Sequence, residues 1–487
     1  MRNGMLYAVG CTAVVALVGC SGTSDGGIGQ VSSALHDHGG DSLTSLPNNF
    51  PFANGSGFAA TYSTNGSVDL TNEFFQNLGT NGRACVSCHQ PQNNWTVTPA
   101  NVQERFELSG GTDPIFRTND GSVSPNADVS TVEARRAAYS MLLSKALIRI
   151  GIGMPAGAEF TLDAVDDPYG FASAAKLSLF RRPLPSTNLD ISTVMWDGRE
   201  TFKDLGSTDC TRPPFAPICF ASLHFDLADQ ANGATTGHAQ GNSLTVAQES
   251  SIVAFETAMF SAQIWDSQAH NLEARGALGG PVNLAAQDFY FGINDNTGDY
   301  KTGAPFTPEI FTTYKSWEDA SEDRGHGVEA ARDQIARGEK LFNSKPITIS
   351  GVAGLNDVFG APVLVGTCGT CHDSPNVGDH SIPAPLNIGL ADASRRTPDM
   401  PLYTFRNIKT GATVQSTDPG RGLITGKWAD IGKFKGPVLR GLAARAPYFH
   451  NGSAADLGTA IDFYDTRFNV GFTSDERADL VAFLGAL

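Results

Sequence analysis

A mainly α chain of two domains, with long loops and insertions, is what the sequence predicts. Three observations carry that prediction. One short cysteine motif occurs twice, far apart in the 487 residues. Helix-start signals are frequent while strand signals are sparse. The 53 glycines imply many turns and long irregular connections.

Composition sets the outer limits. Apolar residues make up 41% and charged residues 17%, enough for buried cores and too apolar for a disordered chain. Asp plus Glu number 50 against 34 Lys plus Arg, a net charge of −16. Such a chain is a poor match for nucleic acid, whose phosphates need clustered cations, and suits a basic protein partner. No run of apolar residues is long enough for a membrane-spanning helix.

The N-terminus reads as an address. Arg2 is the only charge before Asp25, and Leu6–Val18 is a mostly apolar stretch of signal-peptide length. It ends in Leu17-Val18-Gly19-Cys20, which resembles a bacterial lipoprotein signal. Residues 1–19 are then the signal peptide and Cys20 the lipidation site. Ser21, rather than Asp, follows Cys20, so an outer-membrane lipoprotein on the periplasmic side is expected. Residues 20–48 are rich in Gly, Ser, Asp and Asn and read as a flexible tether of about 30 Å reach. His36 and His38 fall in it and read as solvated.

The chemistry lies in the remaining cysteines. Cys85-Val86-Ser87-Cys88-His89 and Cys368-Gly369-Thr370-Cys371-His372 are complete C-x-x-C-H motifs. That spacing is what c-type haem attachment requires: two thiols reach two vinyl groups on one porphyrin edge, and the next residue is the proximal ligand. A thioredoxin-like pair needs no following His, and a zinc site would need a second C-x-x-C nearby. Two covalently bound haem c groups are therefore expected. The two histidines are 283 residues apart, so each haem has its own domain, 49–328 and 329–487. Cys210 and Cys219 flank a Pro-rich octapeptide and are expected to form a disulfide in an oxidising compartment.

The helices follow from their caps. Ser130–Glu133 is a capping box before an expected helix Ala134–Ile150. Thr245–Gln248 is another, before an apolar run to Trp265. Ala331–Phe342 reads as the first helix of the second domain, with Ile335, Leu341 and Phe342 on one face. Thr473–Glu476 opens the last helix, whose Leu480, Val481, Leu484 and Leu487 point inward. The poorly patterned stretch 275–328 reads as a linker or long insertion.

Three further segments carry a family resemblance. They are Met195-Trp196-Asp197-Gly198-Arg199-Glu200, Phe434-Lys435-Gly436-Pro437 through Leu439-Arg440, and Ala446-Pro447-Tyr448-Phe449-His450-Asn451-Gly452. With the two haem motifs in this order, residues 75–487 resemble the bacterial diheme cytochrome c peroxidase family, which includes the MauG branch that oxidises another protein.

The resemblance implies a peroxidase-type oxidoreductase. Hydrogen peroxide would react at the His89 haem, and Trp196 would relay electrons between the haems. It places a sixth ligand of the His372 haem at Tyr464, where many members have Met and MauG-type enzymes have Tyr; Met400 is the alternative. A phenolate favours ferric and higher states, which suits sharing oxidising equivalents after peroxide attack. No His occurs between His89 and His224, so the first haem is expected to be open without prior reduction. Gln230 matches the family's distal Gln. His238, in Gly237-His238-Ala239-Gln240, stands near the expected Glu and could move the proton. His224 and Glu249 are weaker candidates, and His270, His326 and His380 read as structural. The family also holds Ca²⁺ between domains; Arg445 and Pro447 match its carbonyl positions, but the matching Asn is not evident around Arg181-Arg182-Pro183. The implied partners are a small cytochrome or a protein substrate, and the membrane through the lipid anchor. Two other readings are a peroxidase fed by a small cytochrome in the ordinary cycle, and a non-enzymatic electron carrier of the envelope. Oxygenation of an organic substrate at the open haem is a third.

Overall fold

The computed structural model describes residues 44–192, 194–200, 223–299, 301–318 and 327–487. The signal segment, Cys20, most of the tether, Cys210, Cys219 and His326 lie outside the described residues. Among the described residues, no helix is long and apolar enough to cross a membrane.

Helix accounts for 32% of the structure and strand for 18%. The fold is therefore mixed rather than mainly α, because many short strands are made by partners remote in the chain. Gly57–Ser63 pairs antiparallel with Met259–Asp266, inside a four-stranded sheet. Phe160–Asp166 pairs with Leu402–Asn407, which also pairs with Thr413–Ser416. The end of the expected tether is ordered too: Ser45–Pro47 pairs with Ser67–Asp69, and Leu46 is buried.

Local signals held where caps were strong. Thr245 accepts from the Gln248 N–H at 3.3 Å while the Gln248 side chain accepts from the Thr245 N–H at 3.0 Å, opening the helix Val246–Thr257. The apolar run beyond it leaves the helix and becomes the strand Met259–Asp266. Thr245→Ala removes the reciprocal cap and is expected to cost about 1 kcal/mol in a urea titration, with the slope unchanged. The last helix, Ser474–Gly485, begins at the expected Thr473–Glu476 box.

Two helical expectations needed correction. The helix expected over Ala134–Ile150 is Val132–Ala138 followed by Ser140–Lys145, and its first cap is Thr131 rather than Ser130. Ala146 turns left-handed (φ 51°) and ends the helix. Ile148–Ile152 alternates Ile-Arg-Ile-Gly-Ile and forms a strand with Leu177–Arg181, as β-branched residues at period two favour.

The stretch 275–328 does more than link. Ala277, Ile310, Phe311, Tyr314 and Trp317 share one core with Ile335, Phe342, Leu480 and Phe483. The expected boundary at 328/329 thus runs through a single hydrophobic cluster. The helix Val328–Ser344 packs there against the C-terminal helix, with Gly338 under the Asp479 backbone. A Cβ at Gly338 would stand 2.0 Å from the Asp479 carbonyl oxygen, so only glycine permits this approach.

Candidate functional site

Both C-x-x-C-H segments fold as one tight helical turn, Cys85–Ser87 and Cys368–Thr370. The His89 N–H reaches the Cys85 carbonyl at 3.0 Å, and the His372 N–H reaches the Cys368 carbonyl at 3.1 Å. This turn puts two thiols and one imidazole on the same side, because residues three and four apart are neighbours on a helix. Each ring is then oriented from behind. His89 Nδ1 bonds the Trp95 carbonyl at 3.0 Å, and His372 Nδ1 bonds the Gly378 carbonyl at 2.6 Å. Donation from Nδ1 selects the tautomer whose Nε2 keeps its lone pair for a metal. Burial pulls both imidazoles down to about 4, so they are neutral.

The four cysteines form no disulfide. Burial pushes the thiols of Cys85, Cys368 and Cys371 up to about 12. That is the opposite of the lowered thiol of a thioredoxin-like pair.

Each motif opens on its own cavity. Counting the space at their mouths, the cavities hold about 1430 and 1670 Å³. Trp196, Pro183, Leu184, Pro185 and Pro437 line both. Three buried cations, Arg182, Arg445 and Lys435, line both as well. Burial lowers them to about 9, 10 and 8, and Arg445 lowers Arg182 further. Arg445 Nε has no hydrogen-bond partner. Arg182 and Arg445 donate from their side chains to backbone carbonyls, which leaves their charge for the anionic propionates of bound haem. The residues present fit two haem c groups.

The shared wall is built rigidly. Trp196 donates from Nε1 to the Arg182 carbonyl at 2.8 Å, and its own carbonyl accepts from the Lys435 N–H at 2.9 Å. Its ring lies 6.2 Å from that of His450, which stacks on Phe434 at 4.0 Å. The next residue, Asp197, is fully buried and binds Arg181 and Arg199, while Arg181 also binds Asp418 at 2.7 Å. Burial alone would raise the Asp197 carboxyl, but the two guanidiniums hold it down at about 2. Gly198 follows at φ 65°, which a side chain would strain.

The first cavity collects the expected distal residues. Gln230 and Ala234, on the helix Leu223–Gly237, and His238 just beyond it lie four residues apart and face one side. His238 Nδ1 meets Asp120, which also binds Arg83 at 2.5 Å. Asp120 would be raised by burial, yet Arg83 and His238 lower it, so it stays ionised. Nδ1 being engaged, Nε2 is the His238 nitrogen available to the cavity. Glu256 lines the same cavity, and sequence reading passed over it. Its Oε2 has no partner, and burial pushes its carboxyl up to about 8.

The second cavity contains Tyr464, on the helix Leu457–Phe468, beside Cys368, Cys371 and His372. Its ring packs against Phe463, Phe449 and Phe468, and burial raises its phenol. Its hydroxyl has no hydrogen-bond partner among the described residues. Met400 instead packs with Val123, Met141, Leu147 and Phe180 and lines neither cavity. His450 lines the second cavity with both ring nitrogens unpartnered.

The Arg182 guanidinium donates to the carbonyls of Arg445 at 3.0 Å, Val97 at 2.9 Å and Lys145 at 3.0 Å. Of the two carbonyls expected to hold calcium, that of Arg445 is thus already engaged by the Arg182 guanidinium. Of the other histidines, His270 stacks on Trp265 at 5.0 Å. Lys435 and His450 sat inside segments already singled out, whereas Asp120 and Glu256 carried no signal at all.

No family profile matches the chain. The cytochrome-c peroxidase IdrP1 of Pseudomonas sp. strain SCT is 30% identical over 140 residues, covering 25% of this chain and 36% of that protein. IdrP2 of Denitromonas iodatirespirans, also a cytochrome-c peroxidase, is 32% identical over 132 residues. The chain thus spans about a third of the length of these relatives. A cytochrome c551 peroxidase of Nitrosomonas europaea is 25% identical over 237 residues, 47% of this chain and 63% of that one. Among solved structures, a MauG-like protein associated with microbial copper homeostasis aligns over 79% of the chain at 16% identity, with a TM-score of 0.30.

Proposed function

We propose, taking as premise that this chain is a relative of the bacterial cytochrome c peroxidases, that it reduces hydrogen peroxide at the His89 cavity and shares the oxidising equivalents with the His372 cavity. One observation carries the reading: Trp196 walls two cavities, each of which opens on a C-x-x-C-H turn. Covalent haem c supplies the redox chemistry when bound.

The chain's own residues do the rest. His89 and His372 present Nε2 to the two cavities. Arg182 and Arg445 would compensate the carboxylates of bound haem. His238, held by Asp120, moves a proton between the two oxygens of hydrogen peroxide through Nε2, and Gln230 orients the peroxide by hydrogen bonding. Trp196 passes electrons across the wall. Tyr464, half-buried in the second cavity with no hydrogen-bond partner for its hydroxyl among the described residues, would hold the second iron through its oxygen. An oxygen donor there favours oxidised iron, which supports the sharing mode over a cycle that first needs half-reduction. The same reading takes the protein to be periplasmic, with a redox partner protein as the ultimate electron source, and the N-terminal Leu17-Val18-Gly19-Cys20 supports an anchor through Cys20.

The test is addition of one equivalent of hydrogen peroxide to the fully oxidised protein, without reductant. Peroxide is expected to be consumed at once, with spectral change at both haems. In Trp196→Phe the change at the second haem should lag behind the first. Reaction only after half-reduction would support the ordinary peroxidase cycle instead, and inertness in both states would leave an electron carrier. Tyr464→Phe should make the second haem bind added imidazole or cyanide, which the wild type resists. Equal binding by both proteins would remove Tyr464 from the iron.

A further inference from the structure

Behind the second C-x-x-C-H turn lies a polar cluster that the proposed peroxide chemistry does not use. Asp295, Asp373 and His380 each bring one ligand atom to within 4.8 Å of the others. Asp295 and Asp373 are fully buried, and the His380 side chain is 6% exposed.

The arrangement of their hydrogen bonds is specific. Asp295 Oδ1 accepts from the N–H and hydroxyl of Thr297, and Asp373 Oδ1 accepts from the Ser381 N–H at 2.5 Å. In both carboxylates Oδ2 has no hydrogen-bond partner, and neither has His380 Nδ1. His380 Nδ1 stands 2.8 Å from Asp373 Oδ2 without forming an aligned bond. His380 Nδ1 and Asp373 Oδ2 thus face each other as a buried ion pair, Asp295 Oδ2 is left over, and the three atoms converge. A buried polar atom without a partner is costly, and Asp295 Oδ2 beside two further potential ligand atoms calls for one. Carboxylates steadied by backbone donors behind a shared point are what metal ligands look like. His372 does not belong to the group, since its Nδ1 is committed to the Gly378 carbonyl.

We propose that Asp295, Asp373 and His380 bind a divalent first-row metal ion of the zinc or manganese type. Two carboxylate oxygens and one imidazole nitrogen make a borderline donor set. Calcium and magnesium prefer oxygen alone, and Zn²⁺ takes three such protein ligands readily. The ion ties two separate segments together. Residues 292–296 already reach the loop after His372: Gly292 donates to the Ser381 carbonyl at 2.9 Å, Asn294 to the Asp373 carbonyl at 3.2 Å, and Asn296 to the Thr370 carbonyl at 3.2 Å. An ion at Asp295, Asp373 and His380 clamps this loop, whose Gly378 carbonyl orients His372. The site is independent of the peroxide reading and stands whether or not that reading does.

The experiment is elemental analysis of the purified haem-loaded protein, with iron counted separately, before and after incubation with Zn²⁺ or Mn²⁺ and desalting. About one non-iron ion per chain is expected, and at least a tenfold lower content in Asp295→Asn and in His380→Gln. Absence of such an ion from the incubated wild type overturns the proposal. So does an undiminished content in both variants, which would make the cluster a plain His380–Asp373 ion pair. If the variants do not fold, anomalous diffraction from wild-type crystals grown with Zn²⁺ decides. A peak between Asp295, Asp373 and His380 supports the site, and a peak elsewhere or none refutes it.

Discussion

Replacing His238 by asparagine is expected to slow peroxide consumption by the fully oxidised protein by about 10²–10³-fold, within the range usual for a lost general acid–base. Haem content and the resting spectrum should stay unchanged, because the substitution touches neither C-x-x-C-H turn. Asp120 is the built-in control. It contacts His238 Nδ1 while binding Arg83, so Asp120→Asn leaves the imidazole in place but loosens its orientation. That variant should retain more activity than His238→Asn, and its pH–rate profile should shift. A His anchored through Nδ1 could also ligate the iron through Nε2. In that case His238→Asn would change the resting spectrum and speed the reaction with peroxide. The two outcomes point in opposite directions, so a single stopped-flow comparison separates them.

Asp197→Ala is expected to be the most destabilising single change in the wall between the cavities. Asp197 is fully buried, and its carboxylate holds both Arg181 and Arg199. Breaking a buried pair costs about 3–5 kcal/mol, because the partner charge stays behind. The low end, about 3 kcal/mol, applies here, since Arg181 keeps Asp418. The turn that presents Trp196 loses its anchor at the same time, so electron exchange between the haems should weaken together with the fold. The wild-type pH dependence follows from the same carboxylate. Its value falls from 3.8 unfolded to about 2 folded. A lowered carboxylate stabilises above its unfolded value, and the contribution disappears as pH falls through the folded one. Acid titration of unfolding should therefore show a loss of about 2 kcal/mol between pH 4 and 2 that Asp197→Ala lacks. A wild-type curve as flat as the variant's across that window would contradict this.

The two C-x-x-C-H turns were legible because their geometry is local. Cys85, Cys88 and His89 converge through one turn of backbone, as do Cys368, Cys371 and His372, and no distant residue is needed to bring them together. The caps at Thr245 and Thr473 were legible for the same reason. Trp196 and Tyr464 were found through family segments rather than through any pattern of their own. The alternation at Ile148–Ile152 was visible but was absorbed into a helix, because a strand of five residues has meaning only beside Leu177–Arg181.

By itself, then, the sequence determined the two C-x-x-C-H turns, the main helix starts and a Trp and a Tyr worth following. Only the tertiary structure decided where these meet. His238 and Asp120 are 118 residues apart in the chain. Residues 269–317 join the C-terminal core, and Phe160–Asp166 becomes a strand only beside Leu402–Asn407. Trp196 becomes a shared wall only once both cavities exist, and Asp295 meets Asp373 and His380 only across two loops. The division has one physical cause. Caps and C-x-x-C-H turns are settled by neighbours within four residues, whereas buried charge, strand pairing and metal geometry are settled by long-range packing, which leaves no periodic trace in a single chain.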